Sequence, residues 1–324
     1  MLAITRKNYC PPEDIIVKDI PKPKPRNNEI LVKVAYASVN RTDCGILTGK
    51  PKLIRLFTGW PRPKSIVAGS DFSGVVEEVG NEVEDFKIGD RVWGLNDEGL
   101  ASHAEYLVIK CRKAVAVVPE NVSLKDIAAC AEGAHYALNF ISKVKLKEGQ
   151  RVLVNGATGG IGSAAVQLLK TMNVHVTAVT NTKNIELVKS LGADATYDFQ
   201  KQDFTKDKDK RYDFVFDAVG KSSFGQCAPL LNKGGVYISS ELGPGNENLY
   251  LPLLTLFKPG PRVIFPIPSN HRRTILHMTD LLAQGKFKAV IESVHSPEEI
   301  KEVYKYVMSG EKTGQVLLEF SPQE

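Results

Sequence analysis

The strongest chemical signal in the chain is Val152-Leu153-Val154-Asn155-Gly156-Ala157-Thr158-Gly159-Gly160-Ile161-Gly162. An apolar strand breaks into glycines, and a stretch with helical spacing, Ser163 to Met172, opens at once. Glycines let a backbone turn sharply and come close to a pyrophosphate, while the free N–H groups and dipole of the helix start favour its charge. The frame is Ala157-x-Gly159-x-x-Gly162, with alanine where the dinucleotide pattern opens on glycine and extra glycines at Gly156 and Gly160. We expect the backbone of Gly156, Ala157, Thr158, Gly159, Gly160 and Ile161 to hold a dinucleotide. A glycine-rich strand-to-helix turn without a ligand is the alternative.

About 20 residues further on, an NAD site offers Asp or Glu to the ribose 2′-hydroxyl. Here the next strand ends in Thr180-Asn181-Thr182-Lys183-Asn184, with no carboxylate to repel a 2′-phosphate. Thr180, Asn181 and Lys183 can donate hydrogen bonds or charge to one, so the cofactor expected is NADP(H). The rival reading makes Lys183 a solvated residue at a helix start. Two later strand ends, Ala218-Val219-Gly220 and Ser239-Ser240, fall at the same carboxyl edge of a parallel sheet, which adds Ala218, Val219 and Ser239 to the expected site.

The elements that must position these residues change along the chain. Ile30–Val39, Ser70–Val79, Arg91–Trp93, Ala104–Ile109 and Ala114–Val118 read as short strands among glycines and prolines. From about Ser123, helical spacing at Ala128–Ile141 and Ser163–Met172 alternates with the apolar strands Val152–Val154, Val174–Val179, Phe214–Phe216 and Val236–Ile238. Strands of that composition are buried on both faces, and alternation with helices implies βαβ units in a parallel sheet. Strands at Lys288–Val294 and Gln315–Phe320, with a helix at about Pro297–Met308 between them, close the chain. The expected fold class is α/β: a doubly wound Rossmann domain over 124–259, inserted in a β-rich domain made of 1–123 and a return segment 260–324.

The 324 residues carry a formal charge of +5 spread among alternating signs, which gives no case for nucleic acid. Five scattered cysteines without a C-x-x-C pair fit a reducing compartment, and the start lacks the h-region of a secretory signal, so a cytoplasmic location is expected. No apolar run reaches the ~18 residues that would span a bilayer.

Across nearly its whole length the chain resembles the medium-chain dehydrogenase/reductases. Where their zinc enzymes place a ligand Cys before Arg-Thr-Asp, this chain has Asn40-Arg41-Thr42-Asp43. Their Gly-His-Glu, whose His binds zinc, appears as Gly69-Ser70-Asp71, ahead of the family-like Gly74-Val75-Val76-Glu77-Glu78-Val79-Gly80. A third ligand position falls near Glu132, and the four-cysteine structural zinc lobe is missing. Asn and Ser supply neither thiolate nor imidazole, so no metal is expected.

What remains resembles the quinone oxidoreductase and enoyl/alkenal reductase branch, matched by Asn40 and Asp43, by Gly133-Ala134-His135-Tyr136-Ala137-Leu138 and by Gly156–Gly162. The resemblance implies a GroES-like fold for the β-rich domain, hydride transfer from NADPH to a quinone or α,β-unsaturated carbonyl, and a homodimer through the Rossmann edge near Leu249–Leu251 and Val263–Phe265. Asn40 is expected to donate to the carbonyl oxygen and Tyr136 to assist as a donor; Asn40 and Asp43 as helix caps are the competing reading. Phe57, Trp60 and Phe265 are expected apolar substrate contacts. A zinc alcohol dehydrogenase and a weakly active NADPH-binding sensor stand as the other function classes.

Overall fold

The computed structural model describes residues 1–207, 209–267 and 270–321. Along the chain run β1 (Leu2–Thr5), β2 (Ile16–Asp19), β3 (Glu29–Val39), α1 (Arg41–Thr48), α2 (Arg55–Thr58), β4 (Asp71–Val79), β5 (Arg91–Leu95), β6 (Tyr106–Lys110), β7 (Val115–Val117) and α3 (Leu124–Ala128). Then come α4 (Ala131–Ser142), β8 (Arg151–Asn155), α5 (Gly160–Lys170), β9 (His175–Thr180), α6 (Ile185–Ser190), β10 (Ala195–Asp198), β11 (Tyr212–Asp217), α7 (Phe224–Cys227), β12 (Leu231–Ser239), α8 (Glu247–Leu256) and β13 (Arg262–Ile264). The chain ends through α9 (His271–Ala283), β14 (Ile291–His295), α10 (Ile300–Ser309) and β15 (Gln315–Glu319).

Two compact units result: Met1–Glu132 with Asn270–Glu324, and Gly133–Ser269. In the first, a sheet ordered β14-β15-β3-β4-β5-β7, with β6 also on β3, is antiparallel except where β14 meets β15. Its central strand β3 is apolar along nearly its whole length and is covered on both faces. Ile30, Val32, Phe72, Val76 and Val92 fill one core, while Val39, Leu47, Ile300, Tyr304 and Leu318 join α1 and α10 to the sheet in another.

The second unit is a six-stranded sheet, parallel throughout, in the order β10-β9-β8-β11-β12-β13. That is the Rossmann order, in which the connections reverse between β8 and β11 and leave a binding crevice outside the carboxyl ends. Leu153, Val215 and Phe216 are fully buried, each contributing roughly 1.5–3 kcal/mol of apolar transfer.

The helix expected over Ala128–Ile141 is broken: α3 stops at Ala128 and α4 restarts at Ala131, with the Cys130 N–H bonding back to the Ile127 carbonyl. The helix expected from Ser163 to Met172 begins three residues earlier, on the glycines themselves, and ends at Lys170. Asn173 then takes a left-handed φ of 56°, and Met172 is exposed rather than on the buried face. No described helix is long and apolar enough to cross a membrane.

Candidate cofactor site and buried polar cluster

In the Rossmann unit, β8 ends at Asn155 and Gly156 turns the chain with a left-handed φ of 76°. A Cβ at Gly156 would meet Val219 Cβ at 2.6 Å, and one at Gly162 would collide with the Gly156 carbonyl. These two glycines are required by close backbone packing. Gly159 differs: it is the N-cap of α5, no side chain caps the helix, and a Cβ there has only the Gly156 carbonyl 3.7 Å away. The start of α5 is thus left without a side-chain cap and with room at Gly159, and the free N–H groups of such a helix start favour a phosphate.

The facing turn is organised by Asp217, which sequence reasoning passed over. Wholly buried at the end of β11, its Oδ1 accepts from Asn155 Nδ2 (3.1 Å), Val219 N (3.2 Å) and Gly220 N (2.9 Å). Its Oδ2 accepts from Ser222 N (3.2 Å), Ser222 Oγ (2.8 Å) and Tyr237 Oη (2.9 Å). Six donors on one carboxylate fix Ala218–Gly220 against the glycine turn. The Asp in the sequence run Asp217-Ala218-Val219-Gly220 was the available signal.

Three buried polar atoms at these strand ends, Thr180 Oγ1, Asn181 Oδ1 and Ser240 Oγ, have no hydrogen-bond partner among the described residues. Leaving such a group unmatched costs about 1–3 kcal/mol, and a polar ligand at the sheet edge removes that cost. The residues present thus fit a dinucleotide. At the end of β12, Ser239 Oγ accepts from the Glu241 N–H (3.2 Å), and the hydroxyl without a partner is that of Ser240.

The expectation of no carboxylate beyond β9 needs a correction. In the parallel register Asp198 of β10 pairs with Thr180, and its Oδ2 accepts from Thr182 Oγ1 at 2.5 Å. It lies 18 residues beyond Thr180, on the neighbouring strand, and so escaped a search confined to the next strand end. Lys201 Nζ lies 3.6 Å from it and the Gln200 N–H donates to Oδ1; the Thr182 hydroxyl is the main cause that holds its pKa below the usual carboxylate value. Lys183 is exposed nearby in sequence.

In the β-rich unit Asn40 and Asp43 form a reciprocal capping box on α1: Asn40 Oδ1 accepts from Asp43 N (2.9 Å) and Asp43 Oδ2 accepts from Asn40 N (3.1 Å). The Asn40 amide nitrogen donates to Ser38 Oγ (3.0 Å), Ser70 Oγ (3.1 Å) and Asp71 Oδ2 (3.3 Å), and the residue is fully buried. Both ends of its side chain are used within the fold. The expected donor to a substrate carbonyl is thereby corrected to a residue that ties α1 to the start of β4. Asn40 and Ser70, the two residues that the family resemblance sets against zinc ligands, are hydrogen-bonded to each other.

Around them lie carboxyls in unusual states. Burial pushes Asp71 up to about 7 against hydrogen bonds from Ser38 and Asn40, and burial with the neighbouring Asp71 charge raises Asp43 well above the carboxylate range. His103, pushed down to about 4 by burial, is neutral; its Nε2–H donates to the Ser38 carbonyl (2.9 Å) and its Nδ1 accepts from Tyr304 Oη (3.3 Å). Gly69 precedes this cluster at φ 100°, where a Cβ would lie 2.6 Å from His103 N. Glu132, buried and raised by desolvation, accepts from Thr42 Oγ1 (3.2 Å).

Of the other expected residues, Tyr136 is half-buried on α4, edge-on to His135 at 5.7 Å between ring centroids. Phe57 and Trp60 are exposed on the β-rich unit and Phe265 is half-buried after β13.

Comparison with known proteins adds findings of three kinds. A family model described as an alcohol dehydrogenase GroES-like domain matches residues 26–120, and one described as a zinc-binding dehydrogenase matches residues 191–318, a span that contains neither Asn40 nor Ser70. A quinone-oxidoreductase homolog from spinach, named as chloroplastic, is 31% identical, with 93% of this chain and 92% of its own covered. A chloroplastic NADPH-dependent alkenal/one oxidoreductase from Arabidopsis thaliana is 27% identical over 91% of this chain and 73% of its own. Among solved structures, the quinone oxidoreductase from Coxiella burnetii superposes with a TM-score of 0.88 at 24% identity, over 99% of each chain, a likeness that speaks to fold alone.

Proposed function

The chain belongs to the medium-chain dehydrogenase/reductase superfamily, in the branch of quinone oxidoreductases and enone reductases, and from that premise we propose an NADPH-dependent, zinc-independent reductase of quinones or α,β-unsaturated carbonyls. The observation that carries the cofactor half is the uncapped start of α5, with room for a Cβ at Gly159, and Thr180 Oγ1, Asn181 Oδ1 and Ser240 Oγ unmatched at the same sheet edge. The preference for NADPH over NADH rests on Thr180, Asn181 and Lys183, which can donate hydrogen bonds or charge to a 2′-phosphate at the end of β9; Asp198, held by Thr182, Gln200 and Lys201, is the carboxylate that works against it.

The acceptor half follows from donor chemistry. Zinc acts as a Lewis acid on an alkoxide, and it requires thiolate, imidazole or carboxylate ligands that Asn40 and Ser70 do not supply. A conjugated acceptor needs less help: hydride delivered to its far carbon or ring puts the charge on an enolate or phenolate oxygen that hydrogen bonds and water can stabilise. Bound NADPH supplies the hydride. The glycine turn and the Asp217-held turn orient the cofactor, Tyr136 offers a phenolic O–H to the acceptor, and Asn40 acts as a positioning residue through the α1 cap.

The oligomer we propose is a homodimer. Leu253, Leu254 and Leu256 on α8 and Phe257 at its C-cap are 65%, 51%, 56% and 82% exposed beside β13, the sheet's edge strand. Between Glu247 and Phe257 there is no basic residue, so an identical neutral face is the matching partner. The five cysteines are free, which agrees with a reducing compartment, here read as the cytoplasm.

The test is an acceptor panel of quinones, 2-alkenals, enones and simple ketones with NADPH and with NADH. Turnover of the conjugated acceptors with NADPH is expected, unchanged by a chelator. Turnover only of simple alcohols or ketones, or loss of activity on chelation, would sink the reading.

A further inference from the structure

From Cys44 to Ser70 the chain has no Asp or Glu, and residues 50–66 within it contain Lys50, Lys52, Arg55, Arg62 and Lys64. Large apolar side chains stand out from the same segment: Leu53 is 55% exposed, Leu56 68%, Phe57 54%, Trp60 68% and Ile66 50%. The segment is a built platform rather than a loose loop. Tyr9 Oη donates to the Gly59 carbonyl (2.6 Å) and lies 2.7 Å from Thr58 Oγ1, while the Lys64 N–H donates to the Thr58 carbonyl (2.8 Å). Arg55 Nε donates to the Gly49 carbonyl (3.0 Å) and its guanidinium lies over the Tyr9 ring, 4.6 Å from the centroid. Gly59 holds φ 126°, where a Cβ would come within 2.7 Å of Lys64 N, so the chain doubles back between Thr58 and Lys64.

An apolar surface set in a segment whose own charges are all positive differs from the neutral face of α8, and the difference selects the partner. We propose that residues 50–66 dock the protein on an anionic lipid bilayer. Trp60, Leu56 and Phe57 enter the interfacial layer, and Lys50, Lys52 and Arg62 meet the lipid phosphates; Arg55 is spent on Tyr9, and Lys64 lies 3.9 Å from Glu98. Indole rings favour the headgroup region, and surface segments bind there through buried apolar area combined with attraction to anionic lipid. This attachment is peripheral and does not depend on the reductase reading.

The chain has two tryptophans, and Trp93 is fully buried, so Trp60 is a built-in reporter. The full-length protein is mixed with vesicles of phosphatidylcholine alone or with about a third phosphatidylglycerol, and co-sedimentation and emission are read at low and high salt. Expected are binding to the anionic vesicles that weakens with salt, a blue shift with protection from aqueous quencher, and no shift in a Trp60→Phe variant. Lys50→Glu/Lys52→Glu/Arg62→Glu should weaken binding by about tenfold or more, and Leu56→Ser, whose side chain is outside the packed core, should weaken it while far-UV dichroism and NADPH affinity stay unchanged. Absence of binding, equal binding to neutral vesicles, binding indifferent to these variants, or a Trp60 already blue-shifted without lipid, which would give the platform to a second copy of the chain, each overturns the proposal.

Discussion

At Gly162 and Gly159 the same added methyl meets opposite surroundings. In Gly162→Ala it strikes the Gly156 carbonyl, so the turn itself must move and both stability and cofactor affinity fall. In Gly159→Ala it has 3.7 Å to its nearest neighbour and an ordinary φ of −71°, so the fold should be kept while the methyl stands where the phosphate would come closest. An unchanged Tm with NADPH Kd raised about tenfold is the expected result by thermal melt and titration, and an unchanged Kd would contradict the cradle. Asp71 gives a second residue-scale test. Its folded pKa is raised, to about 7, above the unfolded value of 3.8, so its proton is favoured in the folded state. Sign and window follow: this group leaves stability intact below about pH 4, erodes it as pH rises from there to 7, and erodes it no further above. Urea midpoints for wild type and Asp71→Asn at pH 5 and 8 should show the wild type losing more on going to pH 8; equal losses would remove the carboxyl from the account. At this scale the sequence spoke clearly at glycines, whose type alone implies backbone approach. It was ambiguous at Asn40, because capping and donating to a ligand demand the same amide, and only the hydrogen bonds to Asp43, Ser38, Ser70 and Asp71 decide between them.

Among the elements, those whose burial is uniform were the readable ones. β8, β9, β11 and β12 are apolar on both faces because the sheet is covered on both sides, and the sequence displays this directly. β10 and β13 are four and three residues long and sit at the sheet edges, too short and too mixed for a pattern to register. α9 starts from Asn270 in a left-handed conformation, and α8 carries Pro252 inside it. Neither has the start or interior that a helix search expects. In α8 the outer face is as apolar as the inner one, so no amphipathic period marks it. That same face carries an element-scale prediction. Leu253→Glu/Phe257→Glu places charge on side chains 65% and 82% exposed, where the fold of one chain has no packing to lose. Sedimentation should show the wild type as a dimer and the variant as a monomer with unchanged far-UV dichroism. A wild-type monomer, or a variant that stays dimeric, would remove α8 from the interface.

For the whole molecule, cofactor and metal make opposite thermodynamic predictions. A ligand that binds only the folded chain stabilises it by RT ln(1 + [L]/Kd), about 2.7 kcal/mol at a hundredfold excess over Kd. NADPH should therefore raise Tm by a few degrees. Its imprint on amide exchange should concentrate at Gly156–Gly162, Thr180–Asn181 and Ser239–Ser240, where the turn and the unmatched polar atoms lie, with little change along β3 and β4. Zinc should do neither, because a site built from an amide and a hydroxyl that already bond to each other, the amide to Asp71 as well, gains nothing by opening for a cation it would ligate weakly. A chelator should likewise leave Tm and rate where they were. Equal stabilisation by NADH and NADPH at matched concentration would withdraw the 2′-phosphate preference while leaving the dinucleotide site standing. A zinc-dependent rise in Tm abolished by Ser70→Ala would return the metal to the cluster around Asn40. The two ligands thus test separately the glycine turn of the Rossmann unit and the closed hydrogen-bonded cluster of the β-rich unit.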